Sequence, residues 1–326
     1  MVSPLPDAPL FIVFNCASGS QDGPAAQAAM HELLSARQRQ HEFFVIHDPS
    51  QLRSLAERAA ERAVRENGVL VAAGGDGTIN AVAGAALASD RPFGIVPQGT
   101  FNYTPRSHGI PLDLREATLA LLDSELAPAQ VGRLNEHVFL VNASVGLYPE
   151  LLEQREADKR RYGRYKSVAF WSGLRGLAQH HRQLTLEIEL DREREVVRTP
   201  ALFVGNNVLQ LERVGLPQAE ELEHRRLAGL VVKPVSTPSL FWLALRGALG
   251  QLGGAERVRD FAFRRMVVRP RERYPQPLKV ATDGEVRWLS PPLTFAVSSR
   301  DLLLLRPRKQ DGAGTQPAEA AVEAMD

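Results

Sequence analysis

The sequence predicts a two-part chain: an N-terminal α/β domain with a parallel sheet, then a C-terminal, β-rich, sandwich-like domain. Three observations predict it. A chain of 326 residues with 44% apolar and 24% charged side chains suits roughly two globular domains. Up to Val96, short apolar runs alternate with helical patterns, the signature of strands joined by crossover helices. Beyond a change of composition at Ala127–Gly132, apolar runs follow one another with Pro/Gly turns between them, as in antiparallel sheets.

Leu10–Phe14 reads as the first strand, and Pro24–Gln40 as a helix after a Gly/Asp/Pro break. Phe43–Ile46 is a second strand. Ser50–Glu66 is a second helix, with Leu52, Leu55, Ala59 and Ala63 on one face. Gly68–Ala73, Thr78–Ala88 and Pro92–Val96 complete the alternation as strand, helix and strand. In the second half Val138–Asn142, Leu184–Leu190, Val196–Val204 and Leu230–Lys233 read as strands. So do Phe261–Val268, Leu278–Ala281, Leu293–Val297 and Leu302–Arg306, with helices at Lys166–His181 and Ser239–Leu252. The expected domains are residues 1–128 and 129–309, the last strands being free to return to the first. Residues 310–326 have little apolar material to bury and are expected to be a disordered tail.

The formal charge of +1 averages unlike segments. Residues 1–130 carry −5, residues 131–310 carry +10, and residues 311–326 carry −4. The single cysteine, Cys16, forbids an internal disulfide and a multi-cysteine zinc site. No apolar stretch reaches the ~18 residues of a spanning helix. The first residues lack a basic lead and an apolar core, so secretion is not expected and a cytoplasmic location is. No motif supports a nucleic-acid partner.

Chemistry is expected in loops at the carboxyl ends of the strands, where open α/β sheets bind ligands. The sharpest is Gly74-Gly75-Asp76-Gly77-Thr78-Ile79-Asn80, between a strand and a helix. Its glycines admit a ligand close to the backbone, and the helix start presents amides that suit phosphate. Asp76 would repel that phosphate unless a divalent cation lay between them, so a nucleoside triphosphate with Mg²⁺ is the natural occupant. Asn15-Cys16-Ala17-Ser18-Gly19-Ser20 and Pro97-Gln98-Gly99-Thr100-Phe101-Asn102-Tyr103 end two further strands. Thr282-Asp283-Gly284-Glu285 is first a hairpin turn. It also offers two carboxylates, one of which would face the cleft and take a proton from an attacking hydroxyl.

Together these segments resemble the diacylglycerol kinase catalytic-domain family, which includes bacterial lipid kinases and sphingosine kinases. The resemblance runs from about Leu10 to Arg306: Asn15, Ser18 and Gly19 match N-x-x-S-G, and Gly74–Asn80 match G-G-D-G-T-x-N. Gly99–Asn102, Tyr103, Arg106 and Gly109-Ile110-Pro111 match a third segment, Val141-Asn142 to Gly146-Leu147 a fourth, and Asp283-Gly284-Glu285 the late D-G-E. It implies an ATP-dependent lipid kinase with a nucleotide-binding first domain and a lipid-binding second one. Asn15, Ser18, Gly19, Gly74, Gly75, Asp76, Gly77, Thr78, Asn80, Gly99, Thr100 and Asn102 would form the ATP site. Asp76 would act through Mg²⁺, and Glu285 would be the base, with Asp76 as the competing assignment. A soluble NAD kinase and a non-catalytic nucleotide or lipid sensor are the other readings. Tyr103, Ala81 and Ala228 stand where many members carry acids, which points to altered substrate preference or weaker activity, and Ala228 argues against a second, structural Mg²⁺. The run Arg155–Lys166 leading into an aromatic-bearing helix, with the bases of Arg257–Arg273, fits peripheral docking on an anionic membrane that presents the lipid.

Overall fold

The computed structural model describes residues 7–18, 23–147, 149–150, 152–153, 183–190, 193–213, 225–234, 258–272 and 276–308. The first part begins β1 (Leu10–Asn15), α1 (Gly23–Ala36), β2 (His41–Ile46), α2 (Leu52–Arg65), β3 (Val69–Gly74), α3 (Asp76–Ser89) and β4 (Phe93–Pro97). It continues with α4 (Tyr103–Ser107), α5 (Leu114–Ala120) and β5 (Ser124–Ala129). β1 to β4 pair in parallel in the order β2-β1-β3-β4. The last strand of the chain, β18 (Leu302–Pro307), enters this sheet between β4 and β5, parallel to the one and antiparallel to the other.

Strand alternation explains the layers. Leu10, Ile12 and Phe14 of β1 pack with Met30 and Leu34 of α1 and Ala117 of α5. Phe11 and Val13 point the other way, against Ala56, Ala59 and Ala63 of α2 and Ile79, Val82, Ala83 and Ala86 of α3. Phe11 and Phe14 are almost wholly buried, each burial contributing about 1.5–3 kcal/mol. The connection reverses direction at β1, so the carboxyl ends of β1 and β3 flank the crevice where such sheets bind ligands.

The second part holds two six-stranded antiparallel sheets. One contains β6 (Gly132–Leu134), β7 (His137–Phe139), β9 (Leu184–Leu190), β10 (Glu193–Thr199), β14 (Arg265–Pro270) and β17 (Leu293–Val297). The other contains β8 (Asn142–Gly146), β11 (Ala201–Gly205), β12 (Leu227–Val232), β13 (Val258–Phe263), β15 (Leu278–Thr282) and β16 (Glu285–Leu289). Ile188, Met266, Val268 and Phe295 of the first meet Val145, Leu202, Val204 and Val280 of the second in one apolar core. A short helix, α6 (Val208–Arg213), follows β11. An α/β part joined to antiparallel sheets is the fold class expected from the sequence.

Three predicted strands differ from the observed ones. Val196–Val204 is two strands, β10 and β11, in different sheets, broken at Pro200. Phe261–Val268 likewise divides at Arg264 into β13 and β14. Proline has no N–H for the ladder, and at both breaks the chain crosses from one sheet to the other. Val138–Asn142 is not one strand, because the amides of Leu140 and Val141 donate to the Asp283 carboxylate. The predicted helices at 166–181 and 239–252, the basic run at 155–166, the tail and Gly19 lie outside the described residues. No described helix is long and apolar enough to cross a membrane.

Candidate active site

Three loops at the carboxyl ends of β1, β3 and β4 are tied to one another by side chains that the sequence singled out. Asn15 Nδ2 donates to Thr78 Oγ1 at 3.0 Å, while Asn15 Oδ1 accepts from Ala17 N at 3.0 Å. Ser18 Oγ donates to Asn15 O at 2.9 Å and reaches Gln98 Oε1 at 3.5 Å. Asn102, in the left-handed region at φ 49°, accepts from Gly99 N at 3.1 Å and donates to Gly99 O at 2.8 Å. Gly99 in turn sits against Gly75: a Cβ on it would stand 3.0 Å from Gly75 Cα and 2.8 Å from Asn102 Oδ1. A side chain there would have to displace Asn102 Oδ1 and push on the Gly75 backbone. Thr100 is exposed on the turn between β4 and α4.

The ladder of α3 begins with Ile79 N donating to Gly75 O at 3.0 Å. The amides of Asp76, Gly77 and Thr78 therefore have no acceptor within the helix. Asp76 shares this first turn. Its Oδ2 accepts from Asn102 N at 3.3 Å, whereas its Oδ1 is buried with no hydrogen-bond partner. Burial pushes the Asp76 carboxyl above the usual carboxylate range, against the backbone amides of Asn102, Tyr103 and Asp76 itself. A buried carboxylate oxygen left unsatisfied beside amides that have no acceptor within the helix fits a cation held jointly with an anionic ligand. Among the described residues no three His, Cys, Asp or Glu side chains gather to hold a metal by themselves. Any metal here would thus take its remaining ligands from water or from a bound phosphate.

The β15–β16 hairpin closes the other side. Asp283 and Gly284 form its two-residue turn, both at positive φ (47° and 88°), as a primed hairpin turn requires. The two acids of this turn do different things. The Asp283 carboxylate accepts from Leu140 N at 2.7 Å, Val141 N at 2.9 Å, Asn142 N at 2.8 Å and Asn80 Nδ2 at 2.6 Å. Burial pushes its carboxyl up, against those four donors. Asn80 also donates to Val138 O at 3.2 Å, so its amide is committed to joining α3 to the second part of the chain. Asp283 is a tie, not a free base. Truncating it leaves four donors without their acceptor, so Asp283→Ala should lower the unfolding free energy by roughly 3 kcal/mol in urea titration. A loss under about 1 kcal/mol would reject this role.

Glu285, by contrast, is exposed, and its Oε1 lies 3.5 Å from where a Cβ on Gly77 would stand. Its Oε2 accepts from Arg287 Nη2 at 2.6 Å, and Arg287 Nη1 donates to His137 Nδ1 at 2.7 Å. The structure thus brings Asn15, Ser18, Gly74–Asn80, Gly99, Asn102 and Glu285 close to one another around the start of α3. Sequence reasoning missed Arg287 and His137, and it missed two asparagines. Asn206 Nδ2 donates to Gln130 O and Leu140 O, each at 3.0 Å, and Asn207 Nδ2 to Ser107 Oγ at 3.0 Å. They join α6 and β11 to α4 and the segment before β6. The available signal was Gly205-Asn206-Asn207, a polar cluster closing an apolar strand. At the positions lacking acids, Tyr103 stacks on Phe101 at 5.9 Å, and Ala228 is buried against Leu211 and Leu230.

Residues 9–134 match the family described as diacylglycerol kinase catalytic domain. The chain is 40% identical over 96 residues to a diacylglycerol kinase of Bacillus subtilis (strain 168), covering 28% of this chain and 32% of that protein. It is 40% identical over 90 residues to a diacylglycerol kinase of Staphylococcus aureus (strain JH9), covering 27% and 29%. These matches span about a third of each relative's length. Among solved structures, one from Bacillus anthracis str. Sterne superposes with TM-score 0.69 and 17% identity, covering 92% of this chain and 97% of the other. A second, a diacylglycerol kinase of the same organism, gives TM-score 0.66 at 16% identity over 92% and 97%. At such identity the likeness is one of fold.

Proposed function

We propose that this chain, whose residues 9–134 match the family described as diacylglycerol kinase catalytic domain, is an ATP-dependent lipid kinase. It transfers the γ-phosphate to the hydroxyl of a diacylglycerol-like lipid or long-chain lipid alcohol. The observation that carries this reading is the juxtaposition across Gly77. On one side lie the amides of the α3 first turn and the half-satisfied Asp76; on the other lies the exposed Glu285. The amides and the glycine backbone bind the phosphates, with Asn15, Ser18 and Asn102 fixing the loops that surround them. Asp76 would hold Mg²⁺, which when bound neutralises phosphate charge and aligns the transferred group. Glu285 takes the proton of the acceptor hydroxyl as its oxygen attacks in line. An alcohol is too weak an acid to ionise first, so proton transfer and attack run together.

The acceptor is reached at an anionic membrane surface. An exposed Trp288 on β16 supports such a contact, while Lys279, 5.0 Å from its ring centre, is itself paired with Glu153 at 2.7 Å. The test is incubation with γ-labelled ATP and Mg²⁺ against diacylglycerol, a sphingoid base and NAD, each in mixed micelles. Label in the lipid phase is expected. Label on NAD alone would move the protein to the soluble kinases. No label with retained ATP binding would make it a sensor.

A further inference from the structure

Glu285 and Arg287 stand two residues apart on β16, so strand alternation puts both on one face. That face looks toward β7, where His137 meets the guanidinium. Arg287 has donors only, so its 2.7 Å contact requires a lone pair on His137 Nδ1. His137 is therefore the neutral tautomer carrying its proton on Nε2. Burial first, then Arg287 and Arg53, hold the imidazole below its usual pKa, with Glu136 opposing. It thus remains an acceptor at neutral pH.

The Glu285–Arg287 pair is partly exposed, with 48% and 27% of the side chains accessible. Such pairs add little to stability. Its consequence is orientation. A glutamate on an open strand has three freely turning side-chain bonds. With Oε2 held at 2.6 Å by Arg287, those bonds are fixed and Oε1 is left beside Gly77. We propose that Arg287, itself anchored by His137, is a positioning residue for phosphoryl transfer, holding Glu285 Oε1 on the acceptor hydroxyl. This rests on the reading of Glu285 as the base. In the step, the hydroxyl proton passes to Glu285 Oε1 while its oxygen forms a bond to the γ-phosphorus. The bond from that phosphorus to the β–γ bridging oxygen breaks, and the electron pair leaves on ADP.

The test is a double-mutant cycle with lipid and labelled ATP, using the full chain. Misplacement of a reacting group by about 1 Å costs on the order of 100-fold. Arg287→Gln should therefore lower kcat by about 10- to 100-fold, with KM for ATP and the thermal midpoint near those of the parent. Arg287→Lys keeps the charge but loses the two-pronged geometry, and should recover part of the rate. In a Glu285→Gln background Arg287→Gln should cost nothing further, because the group it positions is already gone. Equal losses in both backgrounds, or a kcat for Arg287→Gln within about threefold of the parent, would overturn the proposal. A Glu285→Gln protein of near-normal rate would instead remove its premise, so the two failures are distinguishable.

Discussion

Glu285→Gln is expected to lower phosphate transfer to lipid by about 10³-fold while leaving ATP affinity unchanged. Glutamine keeps the size of the side chain and an oxygen that still accepts from Arg287, so the hairpin geometry is retained. It cannot take a proton. The acceptor alcohol must then lose its proton to water or to the phosphate itself, and general-base catalysis by a positioned side chain supplies typically 10²–10⁴-fold. ATP affinity should be preserved because the substitution leaves the amides of the α3 first turn and the Asn15, Gly75 and Gly99 loops in place. Single-turnover transfer at saturating lipid, with calorimetric titration of a non-hydrolysable ATP analogue, measures both quantities. The competing assignment makes Asp76 the base. On that assignment Glu285→Gln would transfer phosphate at close to the parent rate.

The first half of the fold was legible because its signals are local. Helix and strand periods differ, and Gly74–Asn80 declares a close backbone approach within seven residues of sequence. The loop ends of β1, β3 and β4 converge by the topology of a parallel sheet, so the meeting of these three loops followed from the motifs. The second half was legible as strands but not as sheets. Alternation within Val196–Val204 continues through Pro200, and nothing local says that the residues on either side pair with different partners. The break at Leu140 and Val141 is set by Asp283, more than 140 positions away in the chain. The D-G-E turn shows the same limit most sharply. Its hairpin geometry was visible, but the division of labour between Asp283 and Glu285 was not. Four donors claim one carboxylate and leave the other at the cleft, and three of those donors are backbone amides with no compositional signature. Arg287 and His137 are 150 positions apart and meet only through the pairing of β15 and β16 and the placement of β7 beside them.

Asp76→Asn should lower transfer to a similar extent but, unlike Glu285→Gln, should lose the Mg²⁺-dependent part of ATP binding while sparing or strengthening the fold. The sign follows from linkage. Burial raises the Asp76 carboxyl above 3.8, so the folded state binds its proton more tightly than the unfolded chain does. Stability then falls as pH rises from 3.8 through the raised value, and above it the fold carries a partly buried charge with one oxygen unpartnered. Asparagine removes that charge, so at neutral pH without metal the mutant should unfold at or above the temperature of the parent. It also removes the only anionic ligand this turn offers to Mg²⁺. In the parent, Mg²⁺–ATP at a hundredfold excess over Kd should add about 2.7 kcal/mol of stability, seen as a rise in the thermal midpoint. In Asp76→Asn that rise should shrink to what ATP alone provides, and transfer should drop by about 10³-fold, as expected when charge on the phosphoryl group is no longer neutralised. Glu285→Gln should keep the full Mg²⁺–ATP shift, so the two carboxylates separate on a measurement that needs no turnover. If Asp76→Asn instead unfolds well below the parent without metal, the carboxylate is a structural cap on the Asn102 amide, and the unsatisfied Oδ1 does not mark a cation site.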